Sequence, residues 1–189
     1  MKRVFLFVLC LMMTLSAAAF AGENIFKTLS GMEWSFCSGV GGWSTDMHIE
    51  ADGSFTGEFH DSEMGDCTDE YPDGTLYFCS FSGRLSVAGQ VDENTWKILV
   101  EKLEQEEGTE VIEDGIRYVP ADVYGLSEGD EMLLYRPGTP SGVLTEDMQL
   151  WAHVNEQETT QTELENWFLS SEKNDSGFVG YAPVVTADP

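Results

Sequence analysis

From Met47 to His60 the side chains fall into two alternating sets. Met47, Ile49, Phe55 and Phe59 lie on one side, and His48, Glu50, Thr56, Glu58 and His60 on the other. A period of two marks a half-buried β-strand, because successive Cβ atoms point to opposite faces of the pleat. Asp52-Gly53 interrupts this run, and Asp114-Gly115 sits in the same way inside "EVIEDGIRYV". Asp-Gly between such segments predicts a hairpin, since glycine accepts positive φ without strain.

Further strands are predicted for "MEWSFCSG", "TWKILVEKLE", "DEMLLYRPG", "TELENWFLSS" and "GFVGYAPVV". "TLYFCSFSGRLSVAG" reads as one long strand or two, with a bend or bulge at Gly83. One helix is predicted after Thr145, a capping residue followed by Glu146 and Asp147, which suit its positive end. Leu144, Met148 and Trp151 form its apolar stripe, expected to pack on the sheet. Strands do not alternate with helices, which argues against a parallel α/β sheet.

An antiparallel sheet of this size must deal with its edges, and closure removes them. The expected fold is therefore all-β, a single antiparallel barrel of about eight strands with one short helix. Leu76, Tyr77, Phe78 and Phe81, then Trp96, Ile98, Leu99 and Val100, are apolar on both faces of their strands. One face would line the interior and the other needs cover, which the helix could supply.

The N-terminus changes the setting. Lys2 and Arg3, the apolar run Val4 to Leu15 and the small-x-small group Ala19-Phe20-Ala21 predict an export leader over residues 1–21. Residues 22–189 then form one domain, secreted or held at the cell envelope. No other segment is apolar for the roughly 20 residues a membrane helix needs.

Charge narrows the partners. With 9 Lys+Arg against 34 Asp+Glu, the formal net charge is −25. Such a surface repels nucleic acid and anionic lipid; it favours cations or a basic protein partner, or simply solubility. Among the cysteines, Cys10 falls in the leader, while Cys37 and Cys67 border loops and Cys79 lies in apolar "LYFCSF". Outside the cell two should pair, and Cys37–Cys67 is the preferred bridge. A reactive thiol needs a cationic neighbour, and the residues around each cysteine are apolar or acidic.

"GMEWSFCSGVGGWSTDMHIEADGSFTGEFHDSEMGD", "YPDGTLYFCSFSGRL", "YGLSEGDEMLLYRPGTP" and "LENWFL" together resemble an uncharacterised family of exported bacterial proteins. Members of that family look like lipocalin-like (calycin) barrels. The resemblance covers most of residues 22–189 and implies a fold; it carries no catalytic motif.

Candidate chemistry is thin. The acidic run "GEFHDSEMGDCTDEYPDG" could offer Asp61, Glu63 and Asp66 to calcium, although it misses the EF-hand register; an acidic loop is the competing reading. His48, His60 and His153 lack zinc spacing. Gly125-Leu126-Ser127-Glu128-Gly129 matches G-x-S-x-G but precedes a strand, where a nucleophile elbow needs a helix. The glycines of "SGVGGW" lack a basic neighbour for phosphate. Trp34, Phe36, Trp43, Tyr77 and Trp96 are the expected contacts for a small hydrophobic ligand in the barrel interior. The expected function is thus non-enzymatic binding, with calcium the one cofactor considered. The alternatives are an acidic interaction or calcium module, and a hydrolase using paired carboxylates.

Overall fold

The computed structural model describes residues 24–154 and 161–183; the export leader expected over residues 1–21 lies outside them. The elements are α1 (Ile25–Leu29), β1 (Glu33–Cys37), β2 (Trp43–Ile49), β3 (Ser54–Glu63), β4 (Thr75–Gln90) and β5 (Thr95–Gln105). They continue with β6 (Val111–Glu113), β7 (Ile116–Pro120), β8 (Glu131–Tyr135), α2 (Glu146–Trp151), β9 (Trp167–Ser171) and β10 (Ser176–Tyr181).

Eight of the strands close an antiparallel barrel in chain order, β1-β2-β3-β4-β5-β8-β9-β10, with β10 returning to β1. Both Asp-Gly pairs sit at reversals. Gly53 (φ +84°) joins β2 to β3, and Asp114 and Gly115 (φ +48° and +82°) make the two-residue turn between β6 and β7. Two positive φ values in succession are the type I′ geometry, whose twist matches that of the flanking strands.

The β6–β7 hairpin lies outside the closed antiparallel circuit and adds one parallel pairing to it. β4 is long enough to be shared: β5 pairs with its second half, Phe81 to Gln90, and β7 pairs in parallel with its start, Thr75 to Phe78. Without β7, that stretch of β4 would present unpaired backbone groups at an edge. β3 also runs four residues beyond Phe59, so the acidic run begins on a strand and becomes a loop only after Glu63.

The interior is filled. Trp34, Phe36, Met47, Ile49, Phe55, Phe81, Ile98, Met132, Leu134, Leu169 and Phe178 all point inward and are almost fully buried. A second short helix, α1, accompanies the expected one. Its Ile25, Phe26 and Leu29 join the interior core, Phe26 lies against Gly53, and Asn24 Nδ2 donates to Ala51 O at 2.8 Å. α1 therefore closes the barrel end that carries the β2–β3 turn.

α2 covers the outer face, as its stripe predicts. Thr145 Oγ1 accepts from Met148 N at 3.3 Å, and Leu144 and Met148 pack with Tyr135, Phe168 and Val179 in a separate outer cluster. The barrel is thus capped at one end and shielded on one flank. Its other end carries the β1–β2 loop, the β3–β4 loop and the long connection from β5 to β8.

Candidate functional site

At that other end, three adjacent strands set a row of side chains at the rim. Trp43 on β2 is paired with Asp61 on β3, and Asp61 with Tyr77 on β4. By strand alternation they share the inward face with Thr45, Phe59 and Cys79. The segment Ala121–Tyr124 straps across this row after β7 ends at Pro120.

The strap is tied to three strands. Ala121 N donates to Phe78 O on β4 at 3.0 Å, and Val123 N to Gln105 Oε1 on β5 at 2.5 Å. Thr45 Oγ1 on β2, fully buried, donates to Tyr124 O at 2.8 Å. Gly125 then turns the chain with φ +86°, where a Cβ would strike the Phe36 ring, and its carbonyl accepts from Ser176 Oγ at 2.7 Å. Only glycine fits that combination of positive φ and close approach.

Between row and strap lies an open pocket of about 560 Å³. Four aromatic rings line it, Trp43, Phe59, Tyr77 and Tyr124, together with Asp61, Asp122 and Ala121. Trp43 and Tyr124 stand edge to face, with centroids 5.1 Å apart at 82°. Phe36 backs both, 4.8 Å from Trp43 and 5.4 Å from Tyr124, and Trp151 backs Phe36 at 4.9 Å. Rings held this way keep their orientation before anything binds.

The pocket is negative. Among the described residues, no lysine, arginine or histidine is in its lining. Gln105 Nε2 reaches Asp122 Oδ1 at 3.4 Å, whereas the half-buried Asp61 carboxylate has no hydrogen bond or ion pair among the described residues. Other acids are matched: Glu110 and Asp66 meet Arg117 at 2.9 and 3.4 Å, Asp52 meets Arg84 at 3.3 Å, and Glu131 meets Lys97 at 2.6 Å. The hydrogen bond from Arg117 holds the Glu110 carboxyl below its usual range. Beneath the rim, burial pushes the Cys79 thiol up, and the Asp122 charge adds to this.

Two of the five aromatics expected to meet a ligand are at the pocket, Trp43 and Tyr77. Trp34 and Phe36 are interior core at 1% exposure and do not line this pocket. Trp96 belongs to the opposite end, 5.9 Å from Trp167 and covered by the Arg136 guanidinium at 5.0 Å. The physical reason is volume: large rings from eight strands occupy the axis of a barrel this narrow.

The calcium set does not assemble. Asp61 faces the pocket, Glu63 Oε1 accepts from Gly65 N at 3.2 Å, and Asp66 pairs with Arg117. Among the described residues, no group of three His, Cys, Asp or Glu converges in a way that could hold a metal. The Cys37–Cys67 bridge is corrected as well: Cys37, Cys67 and Cys79 are all free thiols. Cys37 pairs with Ser44 on β2, and Ser44 with His60 on β3, whose far end leads to the Cys67 loop.

Neither serine arrangement is a nucleophile. Ser127 Oγ meets the Asn174 amide at 3.1 to 3.3 Å, not a histidine. It belongs to a buried cluster in which Ser171 Oγ and Asn174 Nδ2 both donate to Asp130 Oδ2, at 2.5 and 2.7 Å. That cluster binds the β5–β8 connection to the β9–β10 turn. On the outer face, Ser44 Oγ donates to Asp46 Oδ2 at 2.5 Å and lies 3.2 Å from His60 Nδ1. A hydroxyl has one proton, and with it on Asp46 the Ser44 oxygen faces His60 Nδ1 as an acceptor.

Phe59, Asp122 and Tyr124 were not among the expected site residues. Phe59 is legible in the sequence as an inward strand residue. Asp122 and Tyr124 lie in a strap with no periodicity, so nothing local marks them. No family model matches the chain, and no curated protein or solved structure is similar to it; the closed eight-stranded barrel is compatible with a lipocalin-like fold at the level of architecture.

Proposed function

We propose that this chain is an exported, lipocalin-like binding protein that takes a small, largely apolar ligand at the mouth of its barrel. The observation that carries the reading is the open 560 Å³ pocket whose lining is four oriented aromatic rings, beside an interior already full of side chains. Concave, mostly apolar sites with a few placed polar groups are the usual form of small-molecule sites. Export rests on the basic, apolar and small-residue pattern of residues 1–21. The lipocalin-like assignment rests on the eight-stranded meander and on the sequence resemblance.

The uncharged fluorophore N-phenylnaphthylamine tests it. It should brighten with the wild-type protein and stay dark with Ala121→Trp, which fills the pocket from the strap. Equal brightening with Ala121→Trp would remove the pocket from consideration. Export is checked by finding the protein outside the cytoplasm with its N-terminus at Gly22.

A second reading is favoured by one observation, that Asp61 and Asp122 line the same pocket. Two carboxylates flanking a bound sugar are the machinery of glycoside hydrolysis. Turnover of aryl glycosides that disappears in Asp61→Asn and in Asp122→Asn would establish it; no turnover across a substrate panel would dismiss it.

A further inference from the structure

We infer that the ligand of the mouth pocket is an organic cation, a protonated amine or quaternary ammonium carried on a flat or apolar body. This rests on the pocket being a ligand site and adds what kind of molecule enters it.

Three observations converge. Aromatic faces attract cations through their quadrupoles, Trp most strongly, and Trp43, Tyr77 and Tyr124 present three rings to one small space. The Trp43–Tyr124 pair meets at 82°, so the two rings form a corner rather than a stack. A rounded ammonium head fits a corner of π faces better than a planar group does.

The second observation is Asp61. Its register mates are Trp43 and Tyr77, so a carboxylate stands between two aromatic neighbours on the same face. It is half-buried and engages no cation or hydrogen-bond donor among the described residues. A partly desolvated carboxylate in that setting gains most from a positive partner. None of the described residues supplies one, and the pocket leaves space beside it for one.

The third is what the lining lacks. Fatty acids, phosphates and sulfates would meet Asp61 and Asp122 with no lysine, arginine or histidine to offset them. The chain as a whole carries −25, which raises the local concentration of cations and lowers that of anions. An anionic lipid is therefore the ligand class the pocket disfavours most, although apolar barrels in general suit one.

Benzyltrimethylammonium and its uncharged carbon isostere, neopentylbenzene, separate the possibilities, with tryptophan fluorescence and calorimetry as readouts. The cation should bind about tenfold or more tightly than the isostere, as expected for a desolvated cation–π site with a carboxylate. Asp61→Asn should weaken the cation about tenfold and leave the isostere unchanged, and added salt should weaken only the cation. Tyr124→Ala, at a strap position 43% exposed, should weaken both. Equal or tighter binding of the isostere, with Asp61→Asn indifferent, overturns the cation and leaves an apolar pocket. Binding of neither probe overturns the pocket itself.

Discussion

Phe81 on β4 lies directly across from Gly57 on β3, and its ring covers the glycine so closely that a Cβ there would overlap it. Two residues along the same pair the relation is reversed: Phe55 on β3 covers Gly83 on β4. The two rings meet edge to face at 6.2 Å. Each ring thus takes the space that the opposite residue gives up, which lets two phenylalanines share one short length of barrel. Gly57→Ala should cost roughly 1–3 kcal/mol, the range for overpacking a filled core. Urea midpoints measure this; a midpoint equal to wild type would show that β3 and β4 separate easily.

The Asp130 cluster should behave as a staple. Ser171 is fully buried and Asp130 almost so, and each uses the other. Ser171→Ala removes one donor from a buried carboxylate and should cost about 1–3 kcal/mol. Ser127→Ala, with a half-buried hydroxyl and only the Asn174 amide at stake, should cost less than about 1 kcal/mol. If instead Ser127→Ala alone abolished an esterase activity of the purified protein, the structural role given to that serine would be wrong.

The thiols predict an order of reaction. Cys67 is exposed, Cys37 half-buried and Cys79 buried with its thiol pushed up. Iodoacetamide at neutral pH should therefore modify Cys67 first, Cys37 slowly and Cys79 only on unfolding. In denaturant without reductant, all three should titrate. A count of one would mean that Cys37 and Cys67 are bridged.

Stability should decline at alkaline pH. Burial raises the Tyr135 phenol, partly offset by a hydrogen bond with Ser170, and burial also raises the Cys79 thiol. In both cases the folded chain holds the proton more tightly than the unfolded chain. That contribution is complete below the unfolded pKa and is lost as pH rises through the folded one. The decline should begin near pH 8.5 with the thiol and deepen above about pH 10 with the phenol. Tyr135→Phe should remove the second part and cost about 0.5–1.5 kcal/mol at neutral pH through the lost hydrogen bond. A urea midpoint flat up to about pH 10.5 would contradict the assignment.

The sequence by itself settled the strands, their inward faces and the two Asp-Gly reversals, because alternation and turn chemistry act over a few residues. Met47, Ile49, Phe55 and Phe59 face inward as their spacing predicts, and Thr145 caps α2. Closure agrees with the expectation from many strands and few helices, because it removes edges those strands would otherwise expose. Only the tertiary structure decided which aromatics are core and which meet solvent. Trp34 and Trp43 look alike in the chain, yet one lies deep in the barrel and the other at its rim, because depth depends on strand tilt and on what caps each end. The strap is the same case: Asp122 and Tyr124 reach the pocket through ties to Phe78, Gln105 and Thr45, 79 residues from Tyr124 in the last instance. Contacts over such separations leave no period in the sequence, so the site emerges only when the barrel closes.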